Sequence, residues 1–337
     1  MKDRVLSGMR PTGRLHLGNY FGALKNWVEL QDRYDCFFFV ADYHALTTAY
    51  ESPGDIHANV EEMVLDFLAA GLDPDRCTLF VQSMVPTHAE AHLLFSMISP
   101  LAWLERTPSY KEMIEALKDR DLRTYGFLGY PVLQCVDILL YYPKYVPVGV
   151  DQVAHIELTR ELVRRFNFLY KTNLPEPQPL LTASPKVPGV DGRKMSKSYG
   201  NTIELFGGAA ETRKRIMSIK TDSTPVDAPK DPATCNVFAL LSLFCDDAER
   251  ADWERRYRAG GLSYAEAKRA LAEKYESRMG TMRARREELA KDRRAVWDVL
   301  RKGSEKALEI SGRVLRDMRS GIGLNYDKGG IHGRSGS

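Results

Sequence analysis

Two short loops carry residues able to handle phosphate. The first is Pro11-Thr12-Gly13-Arg14-Leu15-His16-Leu17-Gly18-Asn19. It follows an apolar segment at Val5-Leu6 and opens a run with helical spacing, Tyr20, Ala23, Leu24, Trp27 and Leu30. A loop that opens a helix aims backbone N–H groups and the positive end of the helix dipole at one point, which suits an anion. Gly18 lets a nucleotide approach the backbone closely. His16 and Asn19, three apart on a first helical turn, share a side and can both donate to a phosphate. A plain glycine turn with a surface histidine is the alternative. The second loop is Gly192-Arg193-Lys194-Met195-Ser196-Lys197-Ser198. Two lysines three residues apart, among small neighbours, can close over a polyphosphate and neutralise charge as it develops. The alternative there is a solvated basic loop.

A third feature is a carboxylate inside an apolar helix, Asp137 within Val132-Leu133-Gln134-Cys135-Val136-Asp137-Ile138-Leu139-Leu140. A buried carboxylate is costly unless it is paired. Being acceptor-only when ionised, it fits a donor-only partner such as an indole N–H. Tyr130, Gln134 and Asp137 fall near one helix face. An aspartate on the solvent side of an amphipathic helix is the alternative.

These residues need a scaffold. Cys36–Ala41 is a continuous apolar run, as in a strand buried on both faces. The pattern of 54–70 predicts an amphipathic helix capped by Gly71, and Thr78–Gln82 predicts the next strand. Asp151-Gln152 leads into a helix through about Phe166. Strands alternating with helices indicate a parallel α/β sheet. After Lys197 the spacing predicts helices at 209–220, 236–245, 263–279, 281–300 and 303–320. An α/β domain is thus followed by a mainly helical one, with the join near 190–200.

The 337 residues suffice for about two domains. With 44% hydrophobic and 28% charged residues the chain is of ordinary globular type. No run of about 18 uncharged apolar residues is present, and the N-terminus lacks the apolar core of a signal peptide. A cytoplasmic protein with no membrane partner is expected. Lys and Arg outnumber Asp and Glu by 19 to 12 over 251–320, whereas over 1–250 they are outnumbered by 32 to 27. A basic C-terminal third suits a polyanion such as nucleic acid, or equally a salt-bridged helical face. The five cysteines, at 36, 77, 135, 235 and 245, form no Cys-x-x-Cys pair, so no zinc or dithiol site is signalled.

Together the two loops resemble the signature loops of class I aminoacyl-tRNA synthetases: His16-Leu17-Gly18-Asn19 stands for HIGH, and 194–198 reads KMSKS. Further motifs resemble the tryptophanyl-tRNA synthetase family from Val5 to about Gly323. They are Ser-Gly-Met-Arg-Pro-Thr-Gly at 7–13, Ala-Asp-Tyr-His-Ala-Leu-Thr at 41–47, Gly-Tyr-Pro-Val-Leu-Gln-Cys-Val-Asp-Ile-Leu at 129–139 and Val-Pro-Val-Gly-Val-Asp-Gln at 146–152. The resemblance implies a Rossmann-like catalytic domain over 1–200 with a dimerisation insertion at about 85–150. It also implies a helical tRNA/anticodon-binding domain over 201–300, a C-terminal helix at 301–325 packing back on the catalytic domain, and a flexible tail at 326–337.

The activity implied is activation of L-tryptophan with ATP and Mg2+, then transfer to tRNA(Trp), in a homodimer. His16 and Asn19 are expected at the phosphates, and Lys194, Lys197 and Lys111 at the pyrophosphate. Lys111 is named through Pro-Ser-Tyr-Lys-Glu, its alternative being a surface helical lysine. Arg10, Pro11, Thr12, Gly18, Gly149, Val150, Asp151, Val187, Met195, Ser196 and Ser198 are expected around the nucleotide. Asp137 is expected at the indole nitrogen, Tyr130 and Gln152 at the amino group, and Leu6, Val40, His44, Gln134, Val146 and Val148 around the substrate.

The chain departs from the family pattern in three places. Leu6 and Gln134 replace an aromatic residue and a methionine common in the family, although one bacterial branch shares both. Val150 replaces an acidic residue. That branch often carries four cysteines holding an iron–sulfur cluster, of which Cys235 alone has a match, so no cluster is expected. The rivals are a tyrosyl-tRNA synthetase, disfavoured by the 129–152 motifs, a non-synthetase HIGH-type nucleotidyltransferase, and a synthetase-like binding module with a regulatory protein partner.

Overall fold

A computed structural model describes residues 2–51, 53–107, 124–181 and 185–326, apart from the side chain of Asp151. Five strands, β1 (Arg4–Met9), β2 (Asp35–Val40), β3 (Cys77–Val81), β4 (Tyr145–Val148) and β5 (Gln178–Leu181), form one parallel sheet in the order β3-β2-β1-β4-β5. The order reverses between β1 and β4. In such sheets ligands bind beyond the carboxyl ends of the strands at that reversal. The loop that begins at Arg10 and the turn that begins at Gly149 both leave from there.

The helices are α1 (Leu17–Asn19), α2 (Lys25–Leu30), α3 (Asp42–Ala49), α4 (Ile56–Ala70), α5 (Thr87–Ser96), α6 (Leu101–Glu105), α7 (Tyr125–Leu139) and α8 (Val153–Tyr170). Beyond the sheet follow α9 (Ala209–Met217), α10 (Asn236–Ser242), α11 (Asp247–Ala259), α12 (Tyr264–Leu289) and α13 (Arg293–Ile322). Between α1 and α2 the chain makes a wide π-helical turn, Tyr20–Leu24. Gly71 closes α4 with φ of 114°, the left-handed cap that glycine permits.

β2 shows why the sheet is covered on both sides. Phe38 points into a core with Trp27 and Phe67, its ring stacked on Trp27 at 4.6 Å. Phe37 and Phe39 point into the opposite core with Phe80, Phe95 and Tyr141. Side chains that alternate across a strand need an apolar partner on each face.

Several boundaries differ from the sequence reading. β1 extends beyond Val5-Leu6 to Met9, because Ser7, Gly8 and Met9 pair with Phe38, Phe39 and Val40. A Cβ on Gly8 would lie 2.4 Å from the Phe39 ring. The predicted pieces at 263–279, 281–300 and 303–320 are two long helices that break at 290–292, where Asp292 caps α13 by accepting from Ala295 N–H. α11, a polar helix capped by Asp246, goes unpredicted because its residues show little apolar periodicity.

α13 runs through both the 300 and 301 positions and lies against edge strand β3. At Gly303 a Cβ would stand 1.7 Å from the Leu79 carbonyl oxygen, and Ser304 Oγ accepts from Val81 N–H at 3.4 Å. Small residues at the contact let the helix cover a sheet edge that would otherwise stay open. No helix among the described residues is long and apolar enough to cross a membrane.

Candidate active site

The first loop is zipped to the segment that follows the second. Leu17 N–H donates to the Ile203 carbonyl at 3.0 Å, and Leu205 N–H to the Leu15 carbonyl at 2.8 Å. His16 has extended backbone and begins α1, and its N–H donates to Asn19 Oδ1 at 3.1 Å. That bond occupies the amide oxygen of Asn19, so its NH2 group is the end that can donate to a ligand. His16 is buried, and its Nδ1 has no partner among the described residues. Burial, reinforced by the charge of Lys197, pushes its pKa down to about 4. The ring is therefore a neutral donor near neutral pH, not a cation. Gly18 has a second purpose beyond backbone access: a Cβ there would sit 2.9 Å from His16 Cε1 and Nδ1.

Lys197 Nζ donates to the Thr12 carbonyl at 2.6 Å, so the two loops meet directly. Lys194 is exposed, Met195 is buried, and Ser196 and Ser198 lie on the same loop. Asn201 holds this loop's shape. Its Oδ1 accepts from Ser196 N–H at 2.8 Å, and its Nδ2 donates to Asp191 Oδ1 at 2.7 Å and to the Lys194 carbonyl at 3.1 Å. Val187 is buried, and its carbonyl accepts from Met195 N–H. Pro11 is buried, while Arg10 and Thr12 are exposed on the loop. Gly149 is half-buried, and Val150 is 79% exposed at the start of the turn after β4. Lys111 and the side chain of Asp151 lie outside the described residues.

Asp137 is 1% exposed, which excludes the solvent-facing alternative. His44 Nε2 donates to its Oδ2 at 2.7 Å, while Gln82 Nε2 at 2.7 Å and His88 Nδ1 at 2.6 Å donate to its Oδ1. Burial alone would raise this carboxyl. Hydrogen bonds from His44 and His88, foremost among the opposing effects, hold it at about 2. Three of the roughly four acceptor positions of a carboxylate are filled, leaving one on Oδ2. The Tyr130 ring stands edge-on to His44 at 6.5 Å.

Leu6 and Val146 lie in the core on the Asp137 side of the sheet, with Val148 half-buried beside them. Gln134 and Gln152 are half-buried. Val40 is not brought to this group. Strand alternation turns its side chain into the opposite core with Phe38.

Gln82, His88, Asn201 and Asp66 are polar and buried, and none stood out in the sequence. Gln82 and His88 carry one usable signal, because they follow the carboxyl end of β3, where parallel sheets place function. Asp66 accepts from Leu15 N–H at 2.8 Å and from Arg286 Nε at 2.5 Å. Arg286 also bonds Glu62. The basic excess expected over 251–320 to suit a polyanion does not include Arg286 as a surface group, since the residue is 8% exposed and committed to two carboxylates of α4. Arg283 is bonded to Glu276 and to the Gly207 carbonyl. Arg285, between them, is exposed.

The family model for class I tRNA synthetases (W and Y) matches residues 2–280. The tryptophan--tRNA ligase of Thermotoga maritima is 43% identical over 96% of this chain and 100% of its own length. That of Rhodopirellula baltica is 45% identical over 95% and 99%. Among solved structures, tryptophanyl-tRNA synthetase from Campylobacter jejuni complexed with ADP and tryptophan superposes with a TM-score of 0.84 at 35% identity, covering 95% of this chain and all of the other. Tyrosyl-tRNA synthetase from Archaeoglobus fulgidus, at 21% identity and a TM-score of 0.67, shares the fold. With its parallel sheet, its paired loops and full-length likeness to these proteins, the chain belongs to the class I tRNA synthetases of the tryptophan and tyrosine group, and within it to the tryptophan--tRNA ligases.

Proposed function

We propose that the chain joins L-tryptophan to tRNA(Trp) in two steps, at a site built from the residues above. In the first, a tryptophan carboxylate oxygen attacks the α-phosphorus of ATP. The bond to the bridging oxygen breaks and pyrophosphate leaves, with Mg2+ accompanying the nucleotide. In the second, a ribose hydroxyl of the terminal adenosine of tRNA takes the aminoacyl group and AMP leaves. No enzyme nucleophile is needed, so positioning and charge stabilisation supply the catalysis.

The observation that carries the substrate choice is the Oδ2 acceptor position of Asp137, held in a dry, three-donor setting. An indole N–H completes it, and a phenol does so less well because its hydroxyl also asks for a donor. Leu6, His44, Val146 and Val148 surround the ring, with Gln134 beside it, and Tyr130 and Gln152 take the amino group. His16 and the NH2 group of Asn19 bond the phosphates, and Lys194, Lys197 and Lys111 neutralise the leaving pyrophosphate. The Arg10–Thr12 and Gly149–Asp151 segments, with Val187 and 195–198, border the nucleotide.

The part from 201 onward reads tRNA through its exposed basic side chains. The protein works as a homodimer, and exposed Leu93, Met97, Leu101 and Tyr125 supply the contact. Leu94, Phe95 and Ile98 belong instead to the core within the chain. Tryptophan-dependent ATP–pyrophosphate exchange, measured against each other amino acid, tests this reading. Exchange driven by tyrosine and not by tryptophan would overturn it.

A further inference from the structure

Behind Asp137 lies a buried polar series that substrate contact does not explain. His88 is fully buried on α5. Its ring is enclosed by Phe39, Phe80 and Tyr141, with centroids 6.2, 6.1 and 5.6 Å away. Its Nδ1 meets Asp137 Oδ1 at 2.6 Å, and its Nε2 meets the Tyr141 hydroxyl at 2.8 Å. An ionised carboxylate can only accept, so Nδ1 carries the proton; with one proton on the ring, Nε2 accepts from Tyr141. Tyr141 is fully buried. Tyr141 and His88 each donate to the next group, and the series ends on Asp137. In a low-dielectric interior such aligned bonds strengthen one another.

We propose that His88 is a positioning residue for amino-acid selection. Held by Tyr141, it pins Oδ1 of Asp137 so that the remaining acceptor position of Oδ2 keeps one direction. This rests on the reading of Asp137 as the indole acceptor. Without His88, Gln82 alone holds Oδ1 and His44 alone holds Oδ2, and the carboxylate turns more readily about its Cβ–Cγ bond. Tryptophan would then lose its advantage over a ring of the same shape that lacks the N–H.

The test is pyrophosphate exchange by the full chain, with tryptophan and with its benzothiophene analogue, in which sulfur replaces the ring N–H. The variants are His88→Leu, His88→Asn and Tyr141→Phe. His88→Leu should raise KM for tryptophan about ten- to hundredfold, with kcat and KM for ATP within about threefold of wild type. The preference for tryptophan over the analogue should fall by a similar factor. His88→Asn retains a donor near the Nδ1 position and should recover most of that preference. Tyr141→Phe should lower it about two- to tenfold. Thermal melting identifies which variants are folded. If His88→Leu does not fold, Tyr141→Phe decides. Folded variants that keep the wild-type preference overturn the positioning role. A wild-type chain that shows no tryptophan-dependent exchange overturns the reading of the site instead.

Discussion

The amino-acid pocket and the phosphate loops solve opposite problems. Around Asp137 every visible donor is buried and already engaged, and one acceptor position is left for the substrate. Around His16 and Lys197 the groups are held by few bonds. His16 Nδ1 has no partner among the described residues, and Lys194 is exposed. Selecting one small molecule from many requires that a wrong ligand leave a buried group unpaired. Binding a triphosphate that arrives, reacts and leaves requires donors that can shift as charge moves. Rigidity therefore belongs to the first site and looseness to the second.

The sharpest way to break this contrast is at its rigid end. Asp137→Ala removes the acceptor and strands His44, Gln82 and His88. The efficiency of exchange with tryptophan should fall by about 10²–10⁴, with KM for ATP nearly unchanged. An equal loss in both substrates' KM would show that the two sites are not separable. Lys197→Ala should do the converse. Losing a positioned cation from the developing pyrophosphate costs about 10²–10³ in kcat. KM for tryptophan should stay within about threefold of wild type.

Much of this is legible in the sequence. The two loops were readable because phosphate chemistry uses local motifs whose residues lie within a few positions of one another. Asp137 stood out as a charge in an apolar helix. Of its partners, His44 of α3 is named only through the family resemblance, and Gln82 and His88 are not named at all, because pairing between distant segments leaves no trace in spacing. The same reason hid Asn201, an ordinary polar residue until the loop folds around it. Val40 was misplaced for a simpler cause: nothing in a continuous apolar run says which face each side chain takes. The basic C-terminal third misled in another way. Charge counting cannot distinguish Arg286, whose partners lie in α4, from Arg285 beside it.

Arg286 offers a third test, of how the helical part is joined to the first loop. Asp66 takes Leu15 N–H on one oxygen and Arg286 on the other. Arg286→Ala leaves a buried carboxylate uncompensated, which typically costs about 3–5 kcal/mol. A lowered midpoint in urea with unchanged slope would record this. A variant as stable as wild type would mean that water replaces the guanidinium at no cost.

Acidity separates the two sites again, with a smaller effect. The Asp137 carboxyl is held at about 2, below its ordinary value. Its contribution to stability is present above the unfolded pKa and is lost as pH falls through about 2. His16 is held at about 4, also below its ordinary value. The unfolded chain binds this proton more readily, so here too stability is full above the unfolded histidine pKa and is lost as pH falls through about 4. kcat/KM for ATP, which reports free-enzyme ionisations, should therefore show no limb near the ordinary histidine pKa from His16. If such a limb is present in wild type and absent in His16→Asn, the neutral-donor role of His16 is wrong.

The smallest expected effect lies at Arg285, which is exposed and makes no salt bridge among the described residues. Many of the basic side chains over 251–320 are already paired, as Arg256 is with Glu266, Lys274 with Glu249 and Arg313 with Glu309. A side chain already paired has little counterion to release. One that is unpaired and faces solvent can neutralise a phosphate and contribute about 0.7–0.9 to the log–log salt slope of binding. Arg285→Ala should thus lower the salt slope of tRNA binding by roughly one and leave pyrophosphate exchange unchanged. Arg313→Ala, which removes a cation already matched to Glu309, should leave the slope where it was. A slope that moves for Arg313 and not for Arg285 would place the tRNA on a different face of the helical part. It would also show that pairing in the free protein does not determine which arginines meet the nucleic acid.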